Sequence, residues 1–169
     1  MNKVRTIVLG MGNPILCDDA VGIRLARDFQ ARAPRRPEVD YVVDCSVGGL
    51  NLLDLVTGYD RLIVFDSIQG GGGPPGTWYQ MTGESFRETM NLTNVHDANF
   101  TTAMELGRLM GSRLPSPADT HIFAVEIADN TTFCEQMTPL LEAAYPRLAQ
   151  EILAEALRLL DQPLSHSPE

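Results

Sequence analysis

The sequence predicts an α/β fold: a three-layer domain whose open, mostly parallel twisted sheet of about five strands carries helices on both faces. Three observations point there. Short apolar runs recur at Arg5–Gly10, Tyr41–Asp44, Arg61–Asp66 and His121–Ile127, with the length and content of strands buried on both sides. Segments with apolar residues three or four apart alternate with them. Parallel strands joined in this way need right-handed crossovers, which leave every strand–helix loop at one edge of the sheet.

The elements follow in order. "RTIVLG" reads as the first strand, and from Asp19 onward Val21, Leu25 and Phe29 recur at helical spacing, with Arg24, Arg27 and Asp28 elsewhere on the wheel. The prolines of "PRRPEVD" end that helix. "YVVD" is a second strand, followed by a glycine turn and an apolar helical segment around Leu50–Val56, and "RLIVFD" is a third. Gly70–Gly76 is a turn region, after which Thr77–Met81 suits an edge strand. A helix is expected from about Ala98 to Gly111, then the strand "HIFAVEI". Thr138 is the expected N-cap of the last helix, with Pro139 at its first position. That helix reads through Leu141, Ala144, Leu148, Ile152, Ala156 and Leu159, kinked or restarted at Pro146. Residues 1–160 thus form one domain, and the polar tail 161–169 is expected to be mobile.

Composition narrows the function. The chain has 169 residues, 44% hydrophobic and 21% charged, with a net charge of −9, which argues against a nucleic-acid surface. "IVLGMGNPIL" is too short and too broken to span a bilayer, so no membrane partner is expected, and no small-residue cleavage site follows it. Cys17, Cys45 and Cys134 are far apart without a C-x-x-C, which argues against a disulfide framework or a zinc ribbon. A reduced cytoplasmic location and a monomer are the corresponding expectations.

Ligands in open α/β sheets bind at the carboxyl ends of the strands. Asp18 and Asp19 follow the first strand, Asp66 ends the third, and His96 precedes the helix expected at Ala98. Taken singly, each has an ordinary reading: an Asp after a strand forms turns or caps helices, and His96 in "NVHDAN" suits a loop histidine held by Asn94 or Asp97. Their convergence on one rim gives two carboxylates and an imidazole, a donor set for zinc or nickel with positions left open. Phosphate fits poorly: "GMGNPI" has Ile15 in place of the third glycine of G-x-G-x-x-G, and carboxylates occupy the helix start. Gly10 and Gly12 suit a tight turn, and Asn13 suits a hydrogen bond to the loop backbone. Cys17 and Cys45 lie near the same rim, but as small buried side chains they stay off the ligand list.

"GMGNPILCDDAVG" resembles G-x-G-N-x-x-x-x-D-[DE]-x-x-G, the N-terminal signature of the nickel-iron hydrogenase maturation endopeptidases. The likeness continues through "LIVFDSI" and the histidine of "NVHDAN", over nearly the whole chain. It implies a cytoplasmic endopeptidase that removes a short C-terminal extension from the hydrogenase large-subunit precursor after nickel insertion. Cleavage would follow a His or Arg just beyond the last metal-binding cysteine motif. The metal-binding positions it implies are Asp19, where many relatives carry Glu, with Asp66 and His96. "DCSVGG" departs from the Asp-Gly-Gly-Thr of many relatives: Asp44 and Gly49 remain, while Cys45, Ser46 and Val47 replace the rest.

Amide hydrolysis needs a polarised carbonyl and an activated water, and a metal ion supplies both. The chain has no H-E-x-x-H and no G-x-S-x-G; His121 begins a strand and His166 lies in the tail. The resemblance thus implies Asp19, Asp66 and His96 as the catalytic and metal-binding set, with the nucleophile left open. They would hold metal weakly alone, with nickel carried by the loaded precursor completing the site. A proton-sharing pair, Asp18–Asp19 or Asp19–Asp66, stays open. So do two other readings: a non-catalytic checkpoint or chaperone for the metal centre, and a nucleotide-binding α/β enzyme with a degenerate glycine loop.

Overall fold

A computed structural model describes residues 3–46, 50–85 and 95–165, with side chains of the last segment described from residue 100 onward. Along the chain lie β1 (Thr6–Met11), α1 (Val21–Arg32), β2 (Val39–Cys45), α2 (Asn51–Val56), β3 (Arg61–Ile68), β4 (Trp78–Thr82), α3 (Val95–Leu109), β5 (Thr120–Glu126) and α4 (Pro139–Asp161). The sheet order is β2-β1-β3-β5-β4. All pairings are parallel except that of the edge strand β4 with β5.

Strand alternation builds two cores. Val8, Ile63, Phe65, Phe123 and Val125 face α1 and α4. Ile7, Leu9, Leu62, Val64 and Ile122 face α2 and α3. Each strand contributes to both sides because successive side chains point to opposite faces. The three-layer α/β expectation therefore holds.

The order places β2 and β3 on opposite sides of β1, so the crossovers leave β1 in opposite directions. That creates a switch point at the carboxyl ends of β1 and β3. The last β1–β3 pair is Gly10 with Phe65, while β3 continues alongside β5 to Ile68. Asp66 and Ser67 thus stand beyond the end of β1, at the rim of a notch. Asp66 is not the strand's last residue, as the sequence suggested: pairing with β5 carries β3 two residues further.

Three other expectations gain detail. The described part of α3 includes His96, which therefore lies within a helix and not in a connection before one. α4 is one continuous helix through Pro146, so it is not restarted there. That proline is exposed, so the Glu142 carbonyl that loses its partner lies on the solvent side of the helix. The tail is anchored as far as Ser165. The buried Arg61 guanidinium donates to the carbonyls of Leu159 (2.5 Å), Gln162 (2.8 Å) and Pro163 (3.1 Å). The backbone N–H of Ser165 donates to Asp119 Oδ1 at 2.8 Å.

Candidate functional site

The β1–α1 loop is shaped by two glycines. Gly12 has φ 140°, in the region that favours glycine, and a side chain there would meet the Asp19 backbone. Gly22, in the first turn of α1, comes so close to the sheet that a Cβ would strike the carbonyl oxygens of both Met11 and Phe65. The start of α1 therefore sits directly on the ends of β1 and β3, and the fixed spacing from Asp19 to Gly22 carries Asp19 to the switch point. Asn13 forms the expected loop bonds: its Oδ1 accepts from Ile15 N–H at 3.2 Å and its carbonyl from Leu16 N–H at 3.2 Å.

The two adjacent aspartates have separate roles. Asp18 is fully buried and faces the loop between β5 and α4. Its carboxylate accepts from the N–H groups of Ala128 (3.1 Å), Asp129 (3.1 Å) and Thr138 (2.7 Å), and from the Thr138 hydroxyl (3.0 Å). A buried carboxylate is tolerable with four donors around it. This also corrects the capping expectation: Thr138 stands at the N-cap of α4 with Pro139 at the first position, but its hydroxyl serves Asp18 and not the helix. With Asp18 committed there, Asp18–Asp19 is no proton-sharing pair.

Asp19 points the other way and is half-buried. Its Oδ2 accepts from Asn13 N–H at 2.9 Å and its Oδ1 from the Ser67 hydroxyl at 2.6 Å. Asp66 Oδ1 accepts the backbone N–H of Ser67 at 2.7 Å. One residue, Ser67, therefore touches both carboxylates. Sequence reasoning missed it; the only signal was its place directly after Asp66.

His96 belongs to α3. The Arg113 carbonyl, beyond the end of α3, accepts from Gly58 N–H at 2.8 Å near the start of β3. The His96 side chain lies outside the described residues. Among the described residues no group of three or more His, Cys, Asp and Glu is arranged to hold a metal ion. Asp19 and Asp66 are the two carboxylates that the described residues place at this rim, each in contact with Ser67.

The cysteines also correct an expectation. Cys17 and Cys134 form a disulfide, with Cα atoms 4.9 Å apart across 117 residues. A short antiparallel contact aligns them: Leu16 opposes Phe133, Cys17 N–H donates to Thr132 at 3.0 Å, and Cys134 N–H donates to Ile15 at 3.1 Å. Cys17 is thus no soft ligand in this form. Cys45 is buried at the end of β2, in the core between the sheet and α2. Val47–Gly49 of the "DCSVGG" stretch lie outside the described residues.

The fold is of the α/β kind that binds ligands at the carboxyl edge of a parallel sheet, here with carboxylates where nucleotide-binding proteins of that architecture place a phosphate loop. A sequence profile described as hydrogenase maturation protease matches residues 23–155. The chain belongs to the hydrogenase maturation protease family, a family of peptidases. It is 26% identical over 165 residues to the Hydrogenase 2 maturation protease of Escherichia coli K12, covering 92% of each chain. It shares 30% identity over 107 residues with the hydrogenase expression/formation protein HoxM of Cupriavidus necator, covering 62% of this chain and 52% of that one. The solved structure of the hydrogenase maturating endopeptidase HybD from Escherichia coli superposes with a TM-score of 0.77 at 26% identity, over 91% of this chain and 92% of that one.

Proposed function

We propose that this protease removes the C-terminal extension of a nickel-iron hydrogenase large-subunit precursor after nickel insertion, recognising the nickel that the substrate carries. The observation that supports this reading is the carboxylate pair Asp19 and Asp66, joined through Ser67 at the switch point. Asp19 is held by two neutral donors, and among the described residues it makes no ion pair. Neither donor carries a charge that would offset the attraction of this carboxylate for a cation. A precursor without nickel would meet only repelling carboxylates, so the loading state of the substrate becomes the criterion for binding.

Asp19, Asp66 and His96 are the residues assigned to the nickel of the bound precursor. The ion supplies polarisation of the scissile carbonyl and activation of water. Asp19 adds a proton acceptor: among the described residues each of its oxygens accepts one hydrogen bond, leaving lone-pair capacity on both. Asp19 and Asp66 acting as a proton-sharing pair is a second role for the same geometry. A cytoplasmic monomer is the form proposed, on the likeness to the maturation proteases and no longer on cysteine usage, since Cys17 and Cys134 pair. Among the described residues no helix is long and apolar enough to cross a membrane.

The test is to incubate the protein with nickel-loaded and nickel-free precursor and weigh the products. Shortening of the loaded precursor alone supports the reading. Equal shortening of both refutes nickel recognition, and stable binding without shortening identifies a checkpoint or chaperone instead.

A further inference from the structure

Ser67 lies at the junction of the two carboxylates through different atoms: its hydroxyl donates to Asp19 Oδ1 at 2.6 Å and its backbone N–H to Asp66 Oδ1 at 2.7 Å. Strand alternation explains why one residue can do both. Phe65 belongs to the core under α1 and α4, and Val64 to the core under α2 and α3. Ser67, in step with Phe65, faces the side from which α1 delivers Asp19; Asp66, in step with Val64, faces the side of α3. Two carboxylates from opposite faces of a sheet have no reason to cooperate unless something at the sheet's end ties them together. Ser67 is that tie.

We propose that Ser67 is the positioning residue of the site, fixing the orientation of the Asp19 carboxylate toward the divalent ion of the substrate. This rests on the reading that Asp19 and Asp66 meet that ion. The hydroxyl is suited to the task because it is neutral: it occupies one lone pair of Oδ1 and restrains rotation of the carboxylate, yet leaves the charge uncompensated. A lysine in its place would hold the carboxylate equally well and cancel the attraction for a cation. Alanine would leave Oδ1 without this partner while Asn13 still held Oδ2, so the group would turn about a single anchor. The contact to Asp66 comes from the backbone and survives any substitution at 67 that preserves the strand.

The readout is the ratio of affinities for nickel-loaded and nickel-free precursor, measured as equilibrium binding without reference to cleavage. A purely structural defect weakens both forms alike and leaves the ratio unchanged. Ser67→Ala is expected to lower the ratio 10- to 100-fold, on the order seen when partners of metal-binding groups are removed. Ser67→Thr, which keeps the donor, should stay within about threefold of the wild type. Because Ser67 acts through Asp19, Ser67→Ala in an Asp19→Asn background should cost nothing further. Ser67→Cys, a weak donor of similar shape, replaces the alanine variant if that one fails to fold. An unchanged ratio in Ser67→Ala, or a full additive loss in the double variant, overturns the proposal. If Asp19→Asn and Asp66→Asn also keep the wild-type ratio, the carboxylate–ion reading itself is refuted, and the Ser67 proposal with it.

Discussion

Asp18 receives both the backbone N–H and the hydroxyl of Thr138, at 2.7 and 3.0 Å, from 120 residues along the chain. This contact ties the loop after β1 to the start of α4, the longest helix. Asp19, the next residue, is thereby supported from beneath: the loop that presents it is fixed by its buried neighbour. Removing the Asp18 carboxylate leaves several buried donors unmatched. Asp18→Ala is expected to lower unfolding free energy by about 3 kcal/mol or more, read as a fall in the urea midpoint. A loss under about 0.5 kcal/mol would show that these bonds carry little.

The Cys17–Cys134 disulfide closes a span of 117 residues, and cross-links of that size restrict the unfolded chain strongly. Reduction with dithiothreitol is expected to cost about 2–4 kcal/mol by denaturant unfolding. Cys134→Ser should be equally destabilised and insensitive to reductant. Identical midpoints with and without reductant would contradict the pairing.

Acid sensitivity should concentrate in the loop that carries Cys134. The Asp129 carboxyl is held down to about 2 by the Thr132 hydroxyl, with the backbone N–H groups of Thr131 and Thr132 adding to it. Its ordinary value is 3.8, so the folded state binds this proton less readily than the unfolded chain. The stability it contributes is present above pH ~4 and is lost as pH falls toward 2. Asp129→Asn should therefore flatten the decline in melting temperature between pH 4 and 2 relative to wild type. An unchanged slope would remove Asp129 from the account.

Gly22 tests the close seating of α1 on the sheet. A methyl group there meets the carbonyl oxygens of Met11 and Phe65 from two strands, and neither backbone can give way alone. Gly22→Ala is expected to cost about 1–3 kcal/mol and to reduce processing more than stability loss explains, because Asp19 moves with the helix. Normal processing with normal stability would show that the seat is looser than described.

Much of this was legible in the sequence, for identifiable reasons. Apolar runs and their spacing mark the strands and helices, and the rule that strand–helix loops share one edge of a parallel sheet places Asp19 and Asp66 there. Asp18 and Asp19 look alike in sequence; only packing against residues more than a hundred positions away gives one a buried structural role and leaves the other at the rim. The disulfide was hidden for the same reason, since nothing in the spacing of Cys17 and Cys134 signals a pairing. Ser67 went unnoticed because a serine near a strand end carries no pattern of its own, and its meaning comes from two aspartates held by different atoms. Arg61 read as the first residue of a strand, while its guanidinium anchors a tail that composition alone marked as mobile.

The most direct measurement is the rate at which Asp66→Asn processes nickel-loaded precursor. Asparagine keeps the shape and an oxygen to accept the Ser67 N–H, while it removes the charge and one of the two acceptor oxygens. The account predicts at least a hundredfold slower cleavage, equivalent to about 2.7 kcal/mol of transition-state stabilisation, with the folded structure retained. Cleavage at the wild-type rate would contradict the claim that a carboxylate pair at the switch point receives the substrate's metal.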